Sequence, residues 1–161
     1  MRKSLVALLV TGLLAACGGG ARETAREAQG GLYPGETPQM RAMVNRAAQD
    51  LEIPPALLHR VIQRESDYRA DARNGPYWGL MQVLPQTART MGFEGRNEDL
   101  LDPEVNLRFA GRYLRGAWIV ADGDMDRAVG FYARGYYYDA RDRCLLVETG
   151  LAAREVNRRC R

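Results

Sequence analysis

The sequence predicts a mainly α-helical fold in one domain, with at most a small β-hairpin. Between residues 40 and 134, apolar residues recur at intervals of three and four, which is the spacing of one face of an α-helix. Runs of alternating apolar and polar residues are too short to predict a larger sheet. Of the 161 residues, about 120 follow residue 37, and that length is enough for one hydrophobic core.

Capping residues and prolines predict where the helices begin. Thr37 and Asp102 each precede a proline, and each can accept a hydrogen bond from the first turn of a helix. A second helix begins at the Pro54-Pro55 pair and carries residues 57–65. Three further helices are predicted over residues 86–91, 125–134 and 151–157, and the hairpin is predicted between Tyr68 and Trp78.

The first residues have the composition of an export signal. Arg2 and Lys3 precede an apolar stretch that is too short to span a bilayer. Residues 14–17, Leu-Ala-Ala-Cys, resemble a bacterial lipobox, which implies a lipoprotein signal peptide over residues 1–16 and a lipid on Cys17. Gly18 is not the aspartate associated with inner-membrane retention, so we expect a periplasmic protein anchored to the outer membrane. The alternative is an ordinary signal peptide in which Cys17 is incidental.

Residues 17–37 are predicted to be a flexible tether between this anchor and the domain over residues 38–161. The tether is rich in Gly, Ala, Glu and Arg and has few side chains large enough for a core. Removing residues 1–16 leaves a formal charge of +1. Because the arginines are scattered among acids, the composition gives no reason to expect nucleic acid as a partner.

Glu65 is the candidate catalytic residue. It shares one helical face with Leu58, Val61 and Ile62, since these residues are spaced at i, i+3, i+4 and i+7. A carboxyl bordered by hydrocarbon favours its neutral form and can act as a general acid. The alternative is that Glu65 lies at the edge of this face, where it reaches solvent or pairs with Arg69 at i+4, and has no catalytic role.

Three short motifs carry a family resemblance. They are Glu65-Ser66-x-Tyr68, Gly79-Leu80-Met81-Gln82 and Pro85-x-Thr87-Ala88. In this order and spacing they resemble the soluble (SLT-type) lytic transglycosylases, relatives of goose-type lysozyme. The resemblance implies a lysozyme-like catalytic domain that acts on peptidoglycan glycan strands, with Glu65 as the catalytic acid. It implies substrate-binding roles for Ser66, Gly79, Leu80, Met81, Gln82 and Tyr132, and we also expect Tyr77 and Trp78 to bind substrate.

Two positions depart from the pattern of this family. The family has a Tyr-Asn-x-Gly motif at its active site, and this chain has Ala133 after Tyr132. The family commonly has Gly-Ala-x-Gly where this chain has Pro76-Tyr77-Trp78-Gly79. Tyr77 and Trp78 are therefore expected to narrow the site or to form a platform for a sugar ring.

The remaining cysteines and the one histidine point to structure rather than to a metal. Cys144 and Cys160 are predicted to form a disulfide in an exported protein, and two free thiols are the alternative. A zinc site needs more nitrogen or sulfur ligands than His59 supplies. We therefore expect neither a metal nor another cofactor.

The sequence shows no clear second carboxylate to work with Glu65. Asp67 is two residues further along, Asp71 lies in an irregular stretch, and Asp99 and Asp102 belong to a later segment. Ordinary glycosidases need such a pair, but the resemblance implies a single glutamate and a 1,6-anhydromuramic acid product. The alternatives are a hydrolytic muramidase that delivers water and a wall-binding lipoprotein that holds glycan without cutting it.

Overall fold

A computed structural model describes residues 31–160 and shows a mainly helical domain. In chain order its elements are α1 (Pro38–Asp50), α2 (Pro55–Ser66), β1 (Arg73–Asn74), β2 (Tyr77–Trp78), α3 (Pro85–Thr90), a 3-10 helix (Asn97–Leu101), α4 (Pro103–Val120), α5 (Met125–Arg134), α6 (Tyr137–Asp142) and a second 3-10 helix (Arg158–Cys160). Within residues 31–160, no helix combines the length and the apolar character needed to cross a membrane. The predicted signal peptide and Cys17 lie outside the described residues.

The long helix α4 is the centre of the hydrophobic core. It packs against α1, α3 and α5, and α2 packs against α1 and α5. Leu107, Leu114 and Ala117 of α4 are buried together with the apolar face of α2. The end of α2 that carries Glu65 is therefore held against the core on one side.

The predicted helix starts are confirmed by their caps. The Thr37 hydroxyl accepts a hydrogen bond from the Met40 amide at 3.1 Å, and the Asp102 carboxylate accepts one from the Val105 amide at 2.9 Å. A proline follows each cap, where its missing N–H leaves no helical hydrogen bond unmade.

The predicted hairpin is also confirmed, and it is the next element after the helix that carries Glu65. β1 and β2 pair antiparallel, with Arg73 opposite Trp78 and Asn74 opposite Tyr77. Gly75 in the connecting turn has φ +58°, a conformation that favours glycine.

The predicted helix over residues 151–157 is wrong, because this stretch is irregular. The amides of Leu151 and Ala152 both bond back to the carbonyl of Leu146, whose side chain is fully buried. Gly150 has φ +71°, and the disulfide between Cys144 and Cys160 closes the segment with a Cα–Cα distance of 5.4 Å. Tertiary anchoring thus overrides local helix propensity, while the predicted cysteine pairing is present. Helix α6 was not predicted.

The packed domain also begins earlier than the predicted boundary at residue 38. Glu36, which falls in the predicted tether, is buried and contacts Arg41 and His59. The end of the predicted tether is therefore part of the folded domain.

Candidate active site

Glu65 lies in the last turn of α2, at the edge of its buried face. Leu58, Val61 and Ile62 of the same face are almost wholly buried, whereas the Glu65 side chain is 24% exposed. Burial raises the pKa of the Glu65 carboxyl, and the neighbouring Arg64 guanidinium, 3.7 Å away, opposes part of this rise. A carboxyl with a raised pKa and access to solvent can donate a proton to a bound substrate.

Glu65 lies at the edge of the face and reaches solvent, as the alternative expects, but Arg69 is not its ionic partner. The Arg69 guanidinium donates instead to the Ser66 carbonyl at 2.9 Å. Helix α2 ends in two left-handed residues, Asp67 (φ +49°) and Tyr68 (φ +63°). The chain therefore turns sharply just beyond Glu65.

Residues 79–82, here called the site loop, are tied to the end of α2. The Ser66 hydroxyl donates to the Leu80 carbonyl at 2.7 Å. At the base of the loop, Trp78 and Val83 exchange two backbone hydrogen bonds, each 3.0 Å long. Ser66 thus acts on the loop, and its hydroxyl contacts neither Glu65 nor a position open to a sugar, contrary to the predicted role.

A buried asparagine on α4 supports the site loop from inside the domain. The Asn106 amide group donates to the carbonyls of Trp78 and Leu100 at 2.9 and 2.8 Å, and its oxygen accepts from the Met81 amide at 2.9 Å. Asn106 was absent from the predicted site. The signal that could have found it is an asparagine on the apolar side of an otherwise hydrophobic helix, because buried amides need partners.

Glycine is required at position 79, because the backbone of the site loop lies against Leu100 and Asn106 there. Gly79 has φ +70°, and a Cβ at this position would lie 2.2 Å from the Leu100 carbonyl oxygen and 2.4 Å from the Asn106 amide nitrogen. No other residue fits here without moving the backbone of the site loop.

Three of the predicted substrate-binding side chains point into the protein. Leu80 and Met81 are fully buried, so they support the loop as core residues. Trp78 is buried as well, and the Arg73 guanidinium covers its ring at 3.6 Å. The Trp78 ring therefore does not form the predicted sugar platform, and of the two aromatic residues before Gly79 only Tyr77 is exposed.

Gln82 is half-buried, and its side chain helps to shape the site loop. Its amide group donates to the carbonyls of Ala72 and Gly79 at 3.0 and 2.9 Å. The residue itself is left-handed, with φ +47°. The Gln82 amide oxygen has no hydrogen-bond partner within residues 31–160, so it remains able to accept one from a ligand.

Tyr132 of α5 joins the site loop to the aromatic side chains behind it. Its hydroxyl donates to the Met81 carbonyl at 2.8 Å, and its ring packs edge-on against Tyr113. Burial raises the pKa of Tyr132 well above its ordinary value, and the negative charge of Glu65 raises it further. The phenol therefore stays protonated as a donor close to Glu65. Ala133, at the family's asparagine position, is exposed.

The other carboxylates near this part of the chain already have structural partners or are solvated. Asp102 caps α4, and Asp99 accepts from the Arg96 amide. Asp67 and Asp71 are exposed. Within the described part of the chain, no three His, Cys, Asp or Glu residues are grouped so as to hold a metal ion. The chemistry available at the site is thus that of one part-buried carboxyl with hydrogen-bonding neighbours.

Comparison with known proteins identifies the family. No solved structure matches the chain significantly. The family model described as the transglycosylase SLT domain matches residues 42–143. This range is more than half of the chain and includes Glu65, the site loop and Tyr132. The chain therefore belongs to the transglycosylase SLT domain family, whose activity is directed at peptidoglycan.

Proposed function

We propose that this protein is a peptidoglycan lytic transglycosylase that cleaves the β-1,4 bond between N-acetylmuramic acid and N-acetylglucosamine and forms 1,6-anhydromuramic acid. The observation that carries the proposal is the environment of Glu65, a single part-buried carboxyl with a raised pKa. It lies at the end of α2, tied through Ser66 to the site loop.

In the first step Glu65 acts as a general acid. Its proton passes to the glycosidic oxygen, and the bond from that oxygen to C1 of the muramoyl residue breaks. The acetamido group of the substrate stabilises the positive charge that develops at C1. Burial of Glu65 favours this step because it increases the fraction of the carboxyl that is protonated near neutral pH.

In the second step the same residue acts as a base. The Glu65 carboxylate takes the proton of the muramoyl C6 hydroxyl, and that oxygen closes on C1. Glu65 is then protonated again, and no water is consumed. One carboxyl is sufficient because the substrate supplies both the stabilising group and the nucleophile.

The neighbouring residues have positioning roles in this mechanism. Tyr132 holds the Met81 carbonyl and faces the charge of Glu65. Gln82 offers its free amide oxygen to a sugar hydroxyl, and the exposed Tyr77 offers a ring face to a sugar. Ser66 acts indirectly, through the Leu80 carbonyl.

The test is mass spectrometry of the soluble products after the purified domain is incubated with peptidoglycan. We expect anhydromuramoyl products from the wild type and none from Glu65→Gln, which keeps the shape of the side chain but cannot donate the proton. Glu94→Gln, a change at an exposed glutamate, is the matched control and should retain activity. Products with reducing ends would instead identify a hydrolytic muramidase. Retained binding without any product would identify a wall-binding protein.

We also propose that the protein is a periplasmic lipoprotein, anchored through a lipid on Cys17 to the outer membrane. The proposal rests on the charged start, the apolar stretch and the lipobox-like residues before Cys17. Labelling of cells with a fatty-acid analogue tests it. The wild type should incorporate the label and fractionate with outer membranes, and Cys17→Ala should do neither.

A further inference from the structure

Residues 33–37, here called the N-terminal clasp, form a turn that is closed by their own polar groups. The Glu36 amide bonds to the Tyr33 carbonyl at 3.0 Å, and the Tyr33 amide donates to the Glu36 carboxylate at 2.9 Å. The Glu36 side chain is completely buried. The clasp lies outside residues 42–143, the range that matches the family model.

The buried charge of Glu36 is paired with a cation. Its two carboxylate oxygens accept hydrogen bonds from the Arg41 guanidinium. Burial by itself would raise the pKa of Glu36, but the hydrogen bonds from Arg41 and from the Tyr33 amide outweigh it, and the pKa is lowered. Glu36 is thus ionised at neutral pH, and loss of its charge would leave Arg41 without its partner.

His59 of α2 connects the clasp to the turn that ends the catalytic helix. Its Nδ1 lies 3.5 Å from the Glu36 carboxylate and 2.8 Å from the Tyr68 hydroxyl, and its Nε2 lies 2.9 Å from the Asn45 side-chain oxygen. Burial lowers the pKa of His59, so the ring is neutral at pH 7. Because the Asn45 oxygen is an acceptor, the proton belongs on Nε2, and Nδ1 accepts from Tyr68.

The clasp also contacts this turn directly. The Tyr33 ring is nearly parallel to the Tyr68 ring, with centroids 6.0 Å apart. The backbone of Gly35 approaches Asp67 so closely that an added Cβ would lie 2.3 Å from the Asp67 carbonyl oxygen. Asp67 and Tyr68 are both left-handed, a conformation that costs a residue other than glycine about 1–2 kcal/mol. The surrounding contacts must supply this energy.

We propose that Glu36 and His59 are positioning residues for Glu65, acting through the Asp67–Tyr68 turn. The clasp holds this turn, the turn sets the end of α2, and the end of α2 sets where the Glu65 carboxyl lies relative to the site loop. The inference rests on the proposed function, since it concerns the placement of the catalytic acid. It assigns a role in the site to Glu36, which lies outside the matched residues 42–143.

The test compares Glu36→Gln with Asp122→Asn in the full chain. Glu36→Gln keeps the side-chain shape but removes the charge that holds Arg41. Asp122→Asn removes an ion pair with Arg143 that lies outside the clasp. For Glu36→Gln we expect kcat on soluble glycan strands to fall about tenfold with KM little changed. Hydrogen exchange at the amides of residues 67–69 should become faster. Asp122→Asn should change neither.

A second variant keeps the proposal testable if Glu36→Gln does not fold. Tyr68→Phe keeps the ring but removes the hydroxyl that bonds His59, and it should lower kcat in the same direction by a smaller factor. An unchanged kcat in Glu36→Gln, or an equal loss in Asp122→Asn, would overturn the proposal. If the wild type does not cleave glycan, the proposed function fails, whereas the exchange rates at residues 67–69 still report whether the clasp holds the turn.

Discussion

The site loop and the C-terminal segment (residues 143–160) are both irregular, but the protein fixes them by different means. The site loop is held by buried polar groups, with Asn106 beneath it and Ser66 and Tyr132 at its sides. The C-terminal segment is held by the Cys144–Cys160 disulfide, by the buried Leu146 side chain and by hydrogen bonds among its own residues, such as the one from the Thr149 hydroxyl to the Leu145 carbonyl at 2.7 Å.

The two regions differ in how closely their backbone positions are fixed. Directional hydrogen bonds from different elements determine the position of a backbone closely, because each bond constrains both distance and angle. In the C-terminal segment the carbonyls accept hydrogen bonds from residues of the same segment, so other elements fix their positions less closely. We therefore expect changes at the site loop to affect catalysis and changes at the C-terminal segment to affect mainly stability.

The largest expected effect comes from Asn106→Leu. It removes three hydrogen bonds and leaves the Met81 amide and the Leu100 carbonyl buried without partners, whereas the Trp78 carbonyl keeps its hydrogen bond from the Val83 amide. We expect a loss of about 3 kcal/mol or more in the free energy of unfolding, with cleavage almost abolished. Urea denaturation and the product assay measure both.

Asn157→Leu is the matched control, because Asn157 lies in the C-terminal segment and its side-chain bonds are 3.1 and 3.5 Å long. We expect it to cost less than about 1 kcal/mol and to retain activity. Equal losses in the two asparagine variants would contradict the distinction between the regions.

The next largest effect concerns stability alone. Replacing both Cys144 and Cys160 by serine opens a loop with a sequence separation of 16. The chain-entropy treatment of such a loop predicts a loss of about 3 kcal/mol. We expect the melting temperature to fall while kcat stays unchanged at a temperature where the variant is folded. A lower kcat under those conditions would show that the C-terminal segment also shapes the site.

Tyr132→Phe should have the opposite effect to the loss of the disulfide, with a large loss in kcat and a small loss in stability. It removes only the hydrogen bond to the Met81 carbonyl, so we expect a stability loss of about 1 kcal/mol. We expect kcat to fall by about one order of magnitude or more, since the site loop loses a tie next to Glu65. Tyr138→Phe, a change at a highly exposed tyrosine of α6, is the control and should change neither quantity.

The smallest effect is a shift in the pH profile. Arg64 lowers the pKa of Glu65, so Arg64→Gln should raise this pKa. Activity should then extend to higher pH, because the Glu65 carboxyl stays protonated up to a higher pH. The shift should be small, since the Arg64 side chain is 53% exposed and its charge is screened. The pH dependence of kcat/KM at low and high salt measures it. At high salt wild type and variant should converge, and a shift to lower pH would refute the assignment of Glu65 as the acid.

The features that depend only on residues close together in the chain could be predicted from the sequence. The caps at Thr37 and Asp102 and the burial of the Leu58, Val61 and Ile62 face follow from spacing within one or two helical turns. The placement of Glu65 at the edge of that face follows in the same way. The pairing of Cys144 with Cys160 was predicted from the expectation that the chain is exported, because cysteine pairs are oxidised outside the cytoplasm.

The contacts of polar and aromatic groups between different elements depend on the tertiary structure and could not be predicted from the sequence. The tertiary structure turned Trp78, Leu80 and Met81 inward, and it placed Asn106 under residues distant in sequence. It also brought Glu36 against His59. Local periodicity cannot predict such contacts, because a buried hydrogen bond depends on the positions of two elements at once. The irregular stretch that replaces the predicted C-terminal helix has the same cause, since the burial of Leu146 and the disulfide outweigh the weak helix preference of a short segment.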